Sequence, residues 1–185
     1  DTRVAYDLIH QSSRASDLWV RDLRRRIPTR VTFDSQIKAW CVWSPDGRRL
    51  AYCGNETGDY ALLSRAWDAS GSIDTLYRSS HPIGLSCWSA DGKSLFFTGF
   101  ATFNVGQMWV TRPVLGAGPS PVRKSSFNDR SAVLSPNGRW LAYSTDETGR
   151  GEVFVQTHPG PGGRWRASSA GGGAARWRAD GRELF

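Results

Sequence analysis

The sequence predicts an all-β protein built from repeated antiparallel sheets, and its composition supplies the first two reasons. Nine Trp, twenty Gly and nine Pro among 185 residues indicate many short strands joined by tight turns. A single Met and few runs rich in Ala, Leu, Glu and Lys argue against a helical bundle. A hydrophobic fraction of 39% with 22% charged residues is typical of a folded globular chain. The longest apolar stretches span only a few residues, so we expect no membrane insertion by this segment.

The third reason is a segment that occurs four times. It reads WSPDGRRLAY at Trp43–Tyr52, WSADGKSLFF at Trp88–Phe97, LSPNGRWLAY at Leu134–Tyr143 and WRADGRELF at Trp177–Phe185. The glycines of successive copies are 45, 46 and 43 residues apart. A period near 45 residues is typical of a four-stranded β-propeller blade. A two-layer sandwich is the structural alternative, but it requires no fixed period.

The centre of each repeat is a tight turn between two strands. In Ser-Pro-Asp-Gly, Pro presets φ, Asp or Asn hydrogen-bonds to the local backbone, and Gly supplies the positive φ that keeps the next strand in register. We therefore expect a positive φ at Gly47, Gly92 and Gly138, and a cost of about 1–3 kcal/mol for Gly138→Val. The same change at Gly172 is expected to cost less, since neighbouring glycines would absorb it. The predicted structural turn residues are Asp46, Gly47, Asp91, Gly92, Asn137, Gly138, Asp180 and Gly181.

Apolar segments around each turn predict the four strands of a blade, labelled a to d. Strands a and b flank the turn, as Trp40–Trp43 and Leu50–Tyr52 illustrate, and strand c follows about fifteen residues after the glycine. The predicted c strands are Leu18–Val20, Tyr60–Leu63, Met108–Val110 and Val153–Val155, the second of which departs from the pattern. The predicted d strands are Arg30–Phe33, Ile73–Tyr77, Val122–Lys124 and Arg164–Arg166.

This organisation predicts one partial β-propeller over residues 1–185, with about four blades present. The units are approximately 1–43, 44–88, 89–134 and 135–178, and residues 179–185 begin a further unit. Strand a of the first blade is missing. We expect these blades to belong to a ring of about six to eight, so that the remaining blades of the same protein are partners. A closed four-bladed ring, in which Ala174–Arg178 pairs with Arg3–Tyr6, is the alternative.

At these residues the chain resembles a known repeat family. The WSPDG unit with its following apolar strand is similar to the TolB-like, WD-like β-propeller repeat over nearly the whole chain. Its C-terminal part looks especially like the C-terminal propeller of acidobacterial-type bacterial serine/threonine protein kinases. This second resemblance implies attachment to a kinase-type signalling protein and an extracytoplasmic (periplasmic) location. It rests on Glu152–Val155, His158–Gly163, Trp165 and Gly171–Gly173, although Thr157-His158 stands where that family has Pro-Phe.

No catalytic motif is complete in the sequence. It holds no HRD, DFG or glycine-rich nucleotide loop, no GxSxG nucleophile elbow, no HExxH and no EF-hand loop. The histidines, His10, His81 and His158, lie in different units and do not form a metal-ligand pattern. We therefore expect no intrinsic catalysis, no cofactor and no metal. Three cysteines in apolar segments are expected to be buried thiols, namely Cys41, Cys53 and Cys87.

Propeller geometry selects one set of loops as a candidate binding surface. The b–c and d–a connections emerge on the same face of a propeller, around the channel mouth, and the a–b and c–d turns lie on the other. Mixed charges on loops held by a rigid scaffold suit a polar ligand or a peptide, and ordinary solvated loop charges are the alternative. The candidate binding residues are Glu56, Asp59, His81, Asp129, Arg130, Glu147 and Arg150.

The basic excess comes almost entirely from arginine. Only three of the 24 cationic residues are Lys, and the formal net charge is +7. Because these charges are spread along the chain rather than clustered, we expect no nucleic-acid partner. The single basic run, Arg24–Arg26, is expected to be a solvated turn.

Three functions compete at this point. The first is a non-catalytic module that senses a ligand or docks a protein, attached to a larger bacterial signalling protein such as a serine/threonine kinase. The second is a propeller domain that gates a prolyl-oligopeptidase-like serine peptidase whose catalytic domain lies outside this chain. The third, a propeller lyase with metal-binding channel histidines, has little support because the histidines do not cluster in the sequence.

Overall fold

The computed structural model describes residues 2–10, 15–34, 36–56, 58–102, 105–160 and 162–185. Within these ranges the structure is all-β and contains no helix, as the sequence predicts. The chain divides into two compact units, one formed by residues 1–85 and 114–117 and the other by residues 86–113 and 118–185. The strands are β1 (Arg3–Ile9), β2 (Ser16–Asp22), β3 (Pro28–Arg30), β4 (Lys38–Trp43), β5 (Arg49–Glu56), β6 (Asp59–Ala66), β7 (Asp74–Ser79), β8 (Ile83–Trp88), β9 (Leu95–Thr102), β10 (Val105–Thr111), β11 (Ser120–Pro121), β12 (Arg130–Leu134), β13 (Trp140–Thr145), β14 (Glu152–Thr157) and β15 (Arg164–Arg166).

Each sheet is an antiparallel meander in which every strand pairs with the next one along the chain. The four sheets are β1-β2-β3, β4-β5-β6-β7, β8-β9-β10-β11 and β12-β13-β14-β15. The last three have the order a-b-c-d of a propeller blade, and the first has only b, c and d. The b–c register repeats between sheets, since Tyr52 faces Leu63 in the second sheet and Tyr143 faces Phe154 in the fourth.

In the first unit, the core lies between the faces of the first two sheets. Leu18, Val20 and Val31 of the first sheet pack with Leu50 and Tyr52 of the second, and all five side chains are at most 1% exposed. Burial between sheets explains why the central strands carry apolar residues on both faces.

In the second unit, an equivalent core lies between the third and fourth sheets. Phe96 and Met108 pack with Leu141, Tyr143 and Phe154. The segment after β15 covers the other face of the fourth sheet, where Ala175 and Trp177 join the cluster of Val133, Ala142 and Val153. Trp177 pairs with Leu184 in a single bridge, which is the start of the further repeat.

The turn between strands a and b has the same construction in successive repeats. Gly47, Gly92 and Gly138 have φ of +66°, +73° and +72°, so the positive φ expected from the sequence is found. In the second sheet, the Ser44 hydroxyl donates to Asp46 Oδ1 at 2.6 Å, and this oxygen also accepts the Arg48 N–H at 3.0 Å. The local hydrogen bonds explain why Ser and Asp recur in the turn.

Two of the predicted d strands lie elsewhere than expected. The strands are Pro28–Arg30 instead of Arg30–Phe33, and Ser120–Pro121 instead of Val122–Lys124. After β3, Val31 N still donates to Leu18 O at 2.7 Å, but Leu18 N donates to the Thr32 hydroxyl at 2.9 Å. A side-chain oxygen thus replaces the backbone acceptor, and the ladder ends there.

The three thiols are free. Cys53 is 6% exposed, and burial raises its pKa to about 12. Burial likewise raises the pKa of Cys41 and Cys87 to about 11. The residues that the structure describes include no helix long and apolar enough to cross a membrane.

Candidate functional site

In the first unit, the predicted binding residues lie at two strand connections. The β5–β6 hairpin pairs the backbones of Glu56 and Asp59, and Asp59 is exposed, whereas the Glu56 side chain lies outside the described part of the chain. His81 lies exposed between β7 and β8. Its backbone N–H donates to the Ser79 hydroxyl at 3.1 Å, and its Nδ1 lies 3.1 Å from the Ser80 hydroxyl. The backbone at Asp59 and at His81 is therefore held by local hydrogen bonds, and both side chains are exposed.

In the second unit, two predicted residues join one network of ion pairs. Asp129, only 1% exposed, lies 3.4 Å from Arg123 Nε, and the same guanidinium lies 3.3 Å from Glu147 Oε2. Glu147 also pairs with Arg164 at 2.6 Å. The structure thus brings Asp129 and Glu147 together through Arg123, and both carboxylates are engaged within the chain.

The Tyr143 hydroxyl lies at the centre of this network. It accepts hydrogen bonds from Arg123 at 2.8 Å and from Arg164 at 2.5 Å. Arg164 also stacks on the Phe154 ring, with 3.9 Å from the guanidinium carbon to the ring centroid. The hydrogen bond from Arg164 lowers the pKa of Glu147 below its usual value, against the opposing effect of burial. The carboxylate is therefore ionised at neutral pH and joins the β13–β14 connection to the edge strand of the sheet.

The two remaining predicted residues are separate from that network. Arg130 follows Asp129 at the start of β12 and is exposed. Arg150 Nε lies 2.8 Å from Oε1 of Glu152, a residue that is fully buried at the start of β14. Glu152 also accepts hydrogen bonds from the Ser168 hydroxyl and, at 3.2 Å, from Gly171 N–H. The Ser168 bond lowers the pKa of Glu152, burial opposes this, and the Gly171 N–H adds to the lowering.

The first unit contains an equivalent of Glu152 that is not among the predicted site residues. Asp17 is fully buried and pairs with Arg30 and, at 2.8 Å, with His10 Nε2. Its Oδ1 accepts the Thr32 hydroxyl at 3.1 Å. Asp17 and Glu152 both directly precede the apolar core of strand c, so aligning polar residues across the repeats would have found them.

The same position is neutral in the other two sheets. It holds Ala61 in the second sheet and Gln107 in the third, where the Gln107 amide donates to Ser125 O at 3.1 Å. Side chains at three of the four positions therefore hold the segment that follows strand d. The main role of these three side chains is therefore structural.

Each unit has a cleft at the a–b turn end of its strands. The first cleft, of about 340 Å³, is bordered by Thr2, Arg3, Trp43 and Pro45, and the guanidinium carbon of Arg3 lies 4.2 Å from the Trp67 ring centroid. The second, of about 440 Å³, is lined by Ser89, Ala90, Asp91, Ser94, Leu134, Pro136, Asn137, Gly138, His158 and Pro159. Burial lowers the pKa of His158, so its imidazole is neutral at pH 7. Both clefts lie at the opposite strand ends from the b–c connections.

Among the described residues, no group of three or more His, Cys, Asp or Glu side chains lies close enough together to hold a metal ion. The arrangement that the structure does provide is a rigid scaffold whose loops are held by buried ion pairs.

Comparison of the sequence with known proteins finds similarity to two proteins that are named peptidases. No family model matches the chain. The uncharacterized peptidase y4qF of Sinorhizobium fredii (strain NBRC 101917 / NGR234) is 32% identical over 135 residues, which is 66% of this chain and 18% of the relative. The uncharacterized peptidase YuxL of Bacillus subtilis (strain 168) is 30% identical over 105 residues, which is 52% of this chain and 15% of the relative. The chain thus spans less than a fifth of the curated relatives it matches.

Comparison with solved structures establishes the fold class. TolB from Acinetobacter baumannii has a TM-score of 0.84 at 20% identity, over 99% of this chain and 46% of that one. A structure of prolyl endopeptidases has a TM-score of 0.61 at 15% identity, over 96% of this chain and 29% of that one. The chain has the fold of a TolB-type β-propeller and is also similar to prolyl peptidase propellers. The expected kinase resemblance has no counterpart among these matches.

Proposed function

We propose that this chain is a non-catalytic β-propeller module that binds a protein or a polar ligand for a larger bacterial protein. The ion-pair network around Tyr143 carries the proposal, because it holds two strand connections of the second unit in fixed positions. In the first unit, Asp59 and His81 lie exposed on similarly short connections. Exposed polar side chains on rigidly held loops are a common arrangement of binding surfaces.

The curated relatives favour a peptidase as the larger protein, and the serine type is the candidate that the sequence analysis offers. Both are named peptidases, and each is at least five times longer than the segment it shares with this chain. In such a protein the propeller would stand beside a hydrolase domain and control which peptides reach it. Attachment to a serine/threonine kinase is the other candidate, supported by the HPGPGG phrase at His158–Gly163 and by Trp165.

The complete gene and one labelling experiment separate these candidates. We expect a GxSxG domain beyond this segment and covalent labelling of the full-length protein by a serine-directed fluorophosphonate probe. The 185-residue chain alone is expected to remain unlabelled. Labelling of the chain itself would contradict the non-catalytic assignment. An unlabelled full-length protein that transfers phosphate from ATP would favour the kinase.

The binding role of the loops needs a separate test in the full-length peptidase. His81→Ala is expected to raise KM for a peptide substrate several-fold and to leave kcat unchanged, because His81 would bind substrate without taking part in the chemistry. Asp68→Ala is the matched control, since Asp68 is exposed in the β6–β7 turn at the opposite strand ends. Equal kinetic constants for the two variants would show that His81 does not bind the substrate.

A further inference from the structure

The β2–β3 turn of the first unit carries the basic run of the sequence at its tip. We call Leu23–Ile27 the arginine tip. All five side chains are exposed, with Leu23 at 52% and Ile27 at 58%. Two aliphatic side chains therefore flank three guanidiniums on a turn that closes with Asp22 N donating to Ile27 O at 3.1 Å.

The three guanidiniums have no acidic partner within ion-pair distance among the described residues. The nearest acid in sequence is Asp22, whose Oδ1 accepts the backbone N–H groups of Arg24 and Arg25, each at 2.8 Å. Arg30, in the adjoining strand, is by contrast paired with Asp17. Asp22 thus stabilises the turn backbone and leaves the arginine side chains directed to solvent.

Arg26 occupies a conformation that favours glycine. Its φ is +58°, in the left-handed region that residues other than Gly rarely adopt. The a–b turns have glycine at their residue of positive φ, as at Gly47. The tip therefore retains a third positive charge at a position where backbone geometry alone would favour Gly.

We propose that the arginine tip binds the surface of an anionic lipid bilayer, a role separate from ligand binding at the loops. The three guanidiniums complement acidic headgroups, and Leu23 and Ile27 suit the boundary between headgroups and acyl chains. A protein interface typically uses about 20–30 residues per side, far more than this narrow turn offers. A flat, diffuse anionic surface fits the tip better than a shaped acidic partner.

Vesicle co-sedimentation of the 185-residue chain tests the proposal. We expect binding to vesicles of phosphatidylcholine with about 30% phosphatidylglycerol, weak binding to pure phosphatidylcholine, and loss of binding when salt rises from about 0.1 to about 0.5 M. Replacing Arg24, Arg25 and Arg26 together with Gln is expected to lower the partition coefficient about 100-fold, roughly 5-fold for each charge. Leu23→Ser with Ile27→Ser is expected to weaken binding several-fold with an unchanged salt dependence.

A matched variant controls for net charge. Arg112, Arg139 and Arg182 are exposed residues of the second unit, and their joint replacement with Gln removes the same charge from elsewhere. This control is expected to bind within about 2-fold of the parent chain. Equal losses in the two triple variants, or parent binding that does not depend on the acidic lipid, would overturn the proposal. Binding of poly-glutamate or DNA without vesicle binding would overturn it as well.

Arg26→Gly separates folding from binding. It removes one charge and relieves the positive φ, so we expect an unchanged or higher Tm together with about 5-fold weaker vesicle binding. A variant that is stabilised and still binds vesicles like the parent chain would exclude Arg26 from the contact.

Discussion

In both units a buried acid at the start of strand c binds the segment that follows strand d, but the other partners of the acid differ between the units. In the first unit the Thr32 hydroxyl holds the segment after β3 against β2. It accepts a hydrogen bond from Leu18 N–H at 2.9 Å and donates one to Asp17. In the second, Ser168 accepts Val153 N–H at 2.9 Å and donates to Glu152. The hydroxyl link is thus common to both units.

The remaining partners differ. Asp17 pairs with two side chains, Arg30 and His10, that belong to the same sheet or its loop. Glu152 accepts a hydrogen bond from the backbone N–H of Gly171 and also pairs with the Arg150 guanidinium. The first acid therefore depends on which side chains are present, and the second also depends on the path of a glycine-rich loop.

The largest expected effect is that of Asp17→Ala. Removal of the buried carboxylate leaves the Thr32 hydroxyl and Arg30 Nη2 without the acceptor that they share, and we expect a loss of about 3 kcal/mol in the free energy of unfolding. Urea denaturation followed by Trp fluorescence measures it. Asp74→Ala is the control, because its pair with Arg49 is solvent-exposed and is expected to contribute only about 0.5 kcal/mol. Similar losses for the two variants would show that the Asp17 cluster contributes little more than a surface ion pair.

The second effect concerns the glycine-rich loop beside Glu152. A Cβ at Gly172 would lie 3.0 Å from Ser168 Oγ and 3.2 Å from Val153 Cγ2, so these side chains would have to move for a larger residue to fit. This crowding raises the cost that we expect for Gly172→Val above the small cost expected from the sequence. A Cβ at Gly138 meets open space, and there the cost comes from φ of +72°. We expect both Gly172→Val and Gly138→Val to cost about 2 kcal/mol. Thermal unfolding would contradict this if Gly172→Val proved nearly neutral.

Gly138 and Gly172 show which structural features can be predicted from the sequence and which cannot. The 45-residue period and the turn chemistry predict the a, b and c strands and the φ of Gly138, because both are local properties of the repeat. The crowding at Gly172 and the pairing of Asp129 with Arg123 depend on segments that meet only in the folded sheet. Composition and spacing contain no information about those distances, so loop charges and buried ion pairs look alike in the sequence.

The third effect tests the shared hydroxyl link. Thr32→Val and Ser168→Ala each leave a backbone N–H without its side-chain acceptor, and each is expected to cost about 1–2 kcal/mol. If the link is equivalent in the two units, the two losses should agree within about 0.5 kcal/mol. Ser70→Ala, in an exposed turn, is the control and is expected to change stability little. A loss confined to one unit would show that the hydroxyls are not equivalent.

The smallest effect at neutral pH is a difference in acid sensitivity. Because the Ser168 hydroxyl holds the pKa of Glu152 below its usual 4.5, the ionised carboxylate stabilises the fold fully above that value. This contribution is lost as pH falls through the lowered pKa of the folded state. Glu152→Gln removes it, so the Tm difference between parent and variant should stay constant above about pH 5 and shrink below about pH 4.

Glu183→Gln provides the reference for that titration, since Glu183 is half-exposed and pairs with Arg178 at the surface. Its Tm difference from the parent should be small at every pH, because solvent screens the pair. Calorimetric scans from about pH 7 to about pH 3 measure both differences. A Glu152→Gln difference that stays constant down to pH 3 would mean that the carboxylate does not titrate with unfolding. The Ser168 and Gly171 hydrogen bonds would then contribute through geometry alone, and the second unit would depend on its loop path rather than on its buried charge.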